Sequence, residues 1–171
     1  NSGIGLDATI IAAMDQGRKT GVSASPLRYL GTTAREYLRR SNRRASIQVS
    51  RPGNPTINHA RVALVQNSSP WTFFGSWALD PNPAASFATG LDVFIVCKLD
   101  PFSTARAARR IITRSRRKAS ANAYTSWHDQ NTFSIAADPE VPIQIDGEAL
   151  GNVSQVQFTH HADALKVIDP L

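Results

Sequence analysis

The sequence predicts a mainly β, α+β domain: an antiparallel β-sandwich flanked by about three helices. Apolar residues alternate with polar ones in short stretches through the middle and end of the chain, the period of a half-buried strand. Only three segments show the three-to-four-residue spacing of a helix. Turn clusters such as Arg51-Pro52-Gly53-Asn54-Pro55 and Asp80-Pro81-Asn82-Pro83 separate the stretches. With 171 residues and ordinary apolar and charged fractions, the chain is long enough to bury a core.

The opening Asn1-Ser2-Gly3-Ile4-Gly5-Leu6-Asp7 reads as a tight glycine turn with no strand ahead of it. It leads into a helix over residues 8–16 that stops near Gly17. Pro26 opens a second helix, in which Leu27, Leu30, Ala34, Tyr37 and Leu38 recur at helical spacing while Arg35, Arg39 and Arg40 fall elsewhere, so that helix is amphipathic and basic. From Ala45 the period changes. Ile47 and Val49 alternate with polar residues, and Val62, Leu64 and Val65 follow the turn cluster, as strands joined by a loop. The run at residues 91–97 is β-branched, aromatic and short, a buried strand. Ser103 is the expected N-cap of a third helix through Ala105, Ala108, Ile111 and Ile112. That helix runs out in Arg114, Arg116, Arg117 and Lys118, where positive charge suits the helix dipole. Alternation returns at residues 132–135, 143–145, 153–156 and 165–168.

The net charge of +6 comes from arginine far more than lysine. Arginine's planar fork suits phosphate groups, so an anionic partner is one reading and a solvated basic face the other. No stretch approaches the ~18–20 consecutive apolar residues of a membrane span. The single cysteine, Cys97, excludes an internal disulfide and a cysteine-based zinc cluster, and fits a reducing cytoplasm. A chain that opens on Asn1 and a glycine-rich run is expected to be an internal piece of a longer polypeptide.

Only three glutamates occur, Glu36, Glu140 and Glu148. Glu148 follows Asp146-Gly147, a strong hairpin signal, and a turn between strands can hold a carboxylate at a sheet rim; the other reading is an ordinary polar turn. Asn1, Gly3, Gly5 and Asp7 form a candidate cofactor-facing run, since two glycines permit close backbone approach and a helix N-terminus carries spare N–H donors. The run lacks the Lys-Ser/Thr end of a P-loop. His128-Asp129 and His160-His161 lack the spacing of a hydrolytic zinc site and are expected to be structural or surface residues. Ser68, Ser69 and Ser86 have no nucleophile-elbow context. Trp71, Phe73, Phe74 and Trp77 would line an acyl-chain pocket or fill the core, the core being expected for most of them.

Four runs, in this order and spacing, resemble the C-terminal half of the diacylglycerol kinase and sphingosine kinase-like family. They are Asn1-Ser2-Gly3-Ile4-Gly5-Leu6-Asp7-Ala8; Val65-Gln66-Asn67; Pro83-Ala84-Ala85 with Gly90-Leu91-Asp92-Val93; and Gln144-Ile145-Asp146-Gly147-Glu148. The stretch Asn67-Ser68-Ser69-Pro70-Trp71-Thr72-Phe73-Phe74-Gly75 looks like actinobacterial members. The resemblance implies a two-domain enzyme whose N-terminal α/β domain bears a Gly-Gly-Asp-Gly-Thr nucleotide motif, absent here. Residues 1–171 would then be the C-terminal lipid-binding domain. It implies Glu148 as the general base toward a lipid hydroxyl, with Asp146 and Gly147 positioning it, and ATP with Mg²⁺ in the complete enzyme. Relatives hold a structural Mg²⁺ by residues matching Ser86, Thr89 and Leu91; here Ala88-Thr89 replaces the acidic residues, which makes that ion doubtful.

The partners so implied are a lipid substrate, an anionic membrane surface and the chain's own N-terminal nucleotide-binding domain. A homodimer is left open and no nucleic acid is expected. The location implied is cytoplasmic, peripheral at the inner face of the membrane, with Arg39, Arg40, Arg43, Arg44 and the cluster from Arg114 to Lys118 drawing the domain to anionic lipid at roughly 1 kcal/mol per cation. The alternative from the residues themselves is a non-catalytic basic β-sandwich module that binds anionic lipid surfaces or nucleic acid.

Overall fold

A computed structural model of the chain describes residues 1–19, 25–39, 46–114, 123–162 and 164. Its elements are β1 (Ser2–Gly5), α1 (Leu6–Lys19), α2 (Pro26–Leu38), β2 (Ile47–Ser50), β3 (Ile57–Ala60), β4 (Val62–Gln66), β5 (Thr72–Phe74), β6 (Trp77–Leu79), β7 (Leu91–Val96), α3 (Pro101–Thr113), β8 (Tyr124–Gln130), β9 (Thr132–Ile145) and β10 (Glu148–Thr159). The expected architecture is present: among the described residues antiparallel strands dominate and three helices accompany them. Seven strands run in the order β3-β2-β9-β1-β4-β7-β8, β10 joins them along β9, and β5 and β6 form a separate hairpin.

The two layers of the sandwich come from one sheet curled on itself. Side chains from β2 (Ile47, Val49) pack in one cluster with Val93 and Ile95 of β7 and Trp127 of β8, from the far end of the strand order. Arg51, just after β2, closes the curl: its guanidinium donates to Gln130 Oε1 at 2.8 Å and lies 4.5 Å from the centre of the Trp127 ring. The outer face carries a second cluster, in which Leu6 and Ile10 of α1 and Ala107 of α3 meet Val62, Leu64, Phe94, Val96 and Tyr124. Ala63 and Val65 point to the inner cluster and Val62 and Leu64 to the outer. A strand covered on both faces reads as a continuous apolar run rather than an alternation, which is why β4 and β7 are apolar nearly throughout.

Four local expectations are corrected. The glycine-rich opening is itself a strand, β1, which pairs with β4 and β9 (Gly3 opposite Leu64 and Gln144). The first helix starts at Leu6 and runs past Gly17 to Lys19. The cap of α3 is Asp100 rather than Ser103: Asp100 Oδ1 accepts the Ser103 N–H at 2.9 Å, with Pro101 at the first helical position. The alternating stretches at 132–135 and 143–145 are the two ends of one 14-residue strand, β9. The stretch at 165–168 and Arg40, Arg43, Arg44, Arg116, Arg117 and Lys118 lie outside the described residues. No helix among the described residues is long and apolar enough to cross a membrane.

Candidate functional site

The two-residue connection between β9 and β10 is the hairpin that Asp146-Gly147 predicts. Both residues have positive φ, 48° and 84°, and Ile145 pairs with Glu148 across them. A turn with two left-handed residues matches the twist of the flanking strands, and glycine takes that conformation without a Cβ clash. Glu148 therefore opens β10 and stands exposed at the sheet rim.

Hydrogen bonds tie this turn to the start of the chain. The Gly147 N–H donates to Gln144 Oε1 at 2.9 Å, and Gln144 Nε2 donates to Asp7 Oδ2 at 3.0 Å, the latter buried inside the fold. Ser2 Oγ donates to the Gln144 carbonyl at 2.7 Å. The Asn1 nitrogen donates to Asp146 Oδ1 at 2.6 Å, and the Asp146 N–H returns a bond to the Asn1 carbonyl at 2.9 Å. Gln144, buried at the end of β9, thus connects the first turn of α1 to the turn that precedes Glu148. Burial pushes the Asp7 carboxyl up to about 6, against the lowering effect of the Gln144 hydrogen bond. Burial, then the nearby Asp7 charge, pushes the Tyr29 hydroxyl up to about 12.

Beside the turn lies an open cleft of about 520 Å³, within the roughly 300–1,000 Å³ range of small-molecule sites. Its walls are apolar: Ile11 and Met14 of α1, Tyr29 of α2, Trp71, and Phe73, Phe74 and Leu79 of the β5–β6 hairpin. Its polar groups come from Asn1, Ser25, Gln144, Asp146 and Gly147. The expectation that most of the Trp71, Phe73, Phe74 and Trp77 group fills the core is corrected, since Phe73 and Trp77 are exposed and the other two are only half-buried. A polar hub fixes the aromatic wall from behind. Asp80, fully buried directly after β6, accepts from Gln66 Nε2 at 3.1 Å and from Ser69 Oγ, and Asn82 N–H donates to Gln66 Oε1 at 3.1 Å.

Of the run Asn1, Gly3, Gly5 and Asp7, only Asn1 lines the cleft; the other three are buried. A Cβ on Gly3 would lie 1.8 Å from Asp7 Oδ2, so the glycine makes room for that carboxylate. Gly5 has φ of 84° and passes so close to the Arg61 carbonyl that a Cβ would lie 2.5 Å from it.

Ser86, Thr89 and Leu91 bracket a turn that satisfies itself. The Ser86 carbonyl accepts the Thr89 N–H at 3.1 Å and the Thr89 hydroxyl at 3.0 Å, and Ser86 Oγ accepts the Ala88 N–H at 3.2 Å. The carboxylates nearby are also engaged: Asp129 accepts the Gly90 N–H at 2.7 Å, and Asp92 accepts from the Asp129 N–H at 3.0 Å and lies 2.8 Å from His128 Nδ1. Neutral, already hydrogen-bonded oxygens do not suit a hard divalent cation, so these residues do not fit a structural Mg²⁺. No group of three or more His, Cys, Asp or Glu among the described residues could hold a metal ion. Burial raises the Asp92 carboxyl, opposed by its hydrogen bonds.

No family model matches the chain, and no curated protein sequence matches it. The crystal structure of a proposed diacylglycerol kinase from Bacillus anthracis str. Sterne is similar to it, with a TM-score of 0.55 and 15% sequence identity over 92% of this chain and 50% of that one. The two share a fold. This chain spans about half the length of that structure. Gln144 and Tyr29 are among the residues of the cleft to which the sequence assigned no part. Gln144 was visible only as a neighbour of the hairpin signal, and Tyr29 reaches the cleft through helix packing that no local pattern encodes.

Proposed function

We propose that this domain is the lipid-accepting part of an ATP-dependent lipid kinase, acting on a hydroxyl of diacylglycerol or a similar amphiphile, with Glu148 as general base. The observation that carries the proposal is the placing of the Asp146-Gly147 turn beside an apolar-walled cleft: acyl chains suit walls of Ile11, Met14, Phe73 and Phe74, and a glycerol-type headgroup suits the amide and carboxylate groups next to them. On this reading the Glu148 carboxylate takes the proton of the lipid hydroxyl. The hydroxyl oxygen of the lipid bonds to the γ-phosphorus as the bond from that phosphorus to the bridging oxygen of the β-phosphate breaks, and ADP leaves. Asp146 and Gly147 set the direction of the strand that presents the base, and Gln144 holds the turn rigid from beneath. ATP, the Mg²⁺ that offsets its phosphate charge and the domain that binds them lie outside this chain.

The test is phosphorylation of detergent-dispersed diacylglycerol by the complete protein with labelled ATP. Glu148→Gln keeps the shape of the side chain but removes the basic oxygen, and should lower kcat by roughly 10²–10⁴-fold while leaving the KM for lipid nearly unchanged. Unchanged turnover would refute the general-base role. Absence of any ATP-dependent activity in the complete wild-type protein would favour a non-catalytic, lipid-surface-binding module.

A further inference from the structure

Helix α2 is built inside out. Leu27, Leu30, Gly31, Ala34 and Leu38 recur at the three-to-four-residue spacing that places them on one face, and every one of them is exposed. Leu27 is 81% exposed, Leu30 52% and Leu38 65%. The face turned to the protein carries Tyr29, Thr33, Glu36 and Tyr37 instead, with Glu36 at 1% exposure. Tyr37 anchors that face, its hydroxyl donating to the Leu99 carbonyl at 2.8 Å and accepting from Thr104 Oγ1 at 3.3 Å. A helix stabilised only by burying its apolar stripe would present the opposite arrangement.

Two features select the occupant of the stripe. The first is charge. Arg35 and Arg39 lie along one flank of the leucines and grip Glu36, the only acid in the helix, at 3.3 Å and 3.1 Å, while Arg28 packs its guanidinium against Gly17 of α1. Two guanidiniums against one carboxylate leave that flank positive. The second is continuity with the cleft. Ser25 caps α2 and lines the cleft together with Tyr29 of its first turn, so Leu27 projects from the turn that forms the cleft wall. Across the cleft, Phe73 lines the opposite wall while remaining 62% exposed, and Trp77 of the same hairpin is 69% exposed. Apolar side chains with a cationic edge, on a helix and a hairpin that each contribute to an apolar cleft, match a bilayer interface, where leucine and aromatic groups enter the acyl boundary and arginines meet lipid phosphates.

We infer that the exposed leucine face of α2, with Phe73 and Trp77 across the cleft, lies in the surface of an anionic bilayer and holds the cleft mouth against it. The inference deepens the lipid-kinase reading by giving the route by which a lipid acceptor would enter, but its binding step does not depend on catalysis.

The test uses the complete protein and two kinds of vesicle, pure phosphatidylcholine and an equal mixture of phosphatidylcholine with phosphatidylglycerol, in a sedimentation assay. Wild type should bind the mixed vesicles, more weakly as salt rises, and the pure ones poorly. The triple substitution Leu27→Ser, Leu30→Ser, Leu38→Ser removes exposed side chains only, so the fold and melting temperature should hold while vesicle affinity falls about tenfold or more. Activity on detergent-dispersed lipid should be unaffected, so a loss of vesicle binding with activity retained separates this inference from the catalytic one. Equal binding of variant and wild type to the mixed vesicles would overturn it. So would a wild-type dimer, seen by analytical ultracentrifugation, that the triple substitution converts to a monomer, since the stripe would then belong to a second copy of the chain.

Discussion

Replacing Gly3 by alanine adds one methyl group where the space is already filled. The added Cβ would lie 1.8 Å from Asp7 Oδ2, 2.8 Å from Asp7 Cγ and 2.7 Å from Gln144 Nε2. Those oxygen and nitrogen atoms are the two ends of the 3.0 Å hydrogen bond that ties α1 to β9. Neither can retreat freely, because Asp7 is in the first turn of α1 and Gln144 is held at its other end by the Gly147 N–H. Overpacking costs about 1–3 kcal/mol and breaking a buried hydrogen bond about 1–3 more, so the substitution should cost about 2–6 kcal/mol. At ~2–4 °C per kcal/mol for a chain of this size, Tm should fall by roughly 4–24 °C. Scanning calorimetry measures it. Gly31→Ala is the control of opposite sign: nothing lies within 4 Å of its Cβ position in α2, and helix propensity should raise stability by ~0.5–1 kcal/mol. Combining Gly3→Ala with Asp7→Ala removes the carboxylate in the way and should recover part of the loss. A Gly3→Ala protein that melts within about 2 °C of wild type would refute the reasoning.

The raised Asp7 carboxyl gives stability a definite pH dependence. Its folded value, about 6, lies above the unfolded 3.8, so the folded protein binds more protons between the two, and the stability it contributes is full below about 4 and is lost as pH rises through 6. Asp92, also raised, contributes in the same direction. Urea titrations of the Asp7→Asn protein should show a flatter slope than wild type over this window; an unaltered slope would remove Asp7 as its source. Asp100→Ala deletes the cap of α3 and should lower the urea midpoint.

Much of this architecture is readable from the chain because local chemistry dictates it. Asp146-Gly147 makes the only kind of turn it makes well, and the alternation of Ile47 and Val49 reports an inner and an outer face. What escapes is set by partners distant in sequence. β1 has too few residues and too many glycines to look like a strand; its neighbours come from residues 62–65 and 143–145. Asp100 outranks Ser103 as a cap because Pro101 fixes where the helix begins, although both are good capping residues. The periodicity of α2 gives the position of its apolar stripe, whereas the direction in which that stripe faces depends on Glu36, Tyr29 and Tyr37 finding polar seats on the protein side. The cleft itself has no linear signature, since its lining combines Asn1 and the first two helices with the β5–β6 hairpin and the turn after β9.

The seat of β1 in the middle of the strand order also sets a timetable. Strands made early in synthesis, β1 and β4, can pair with each other once residue 65 has emerged, but the other side of β1 stays open until residues 143–145 arrive. The centre of the sheet is therefore closed late, by a segment separated from its neighbour by more than 130 residues, the kind of long-range closure that slows folding. The same closure joins Gln144 to Asp7 and aligns the turn before Glu148, so the proposed active site forms only late in assembly, and a nascent or partly unfolded chain carries the cleft walls without the groups that would act in them.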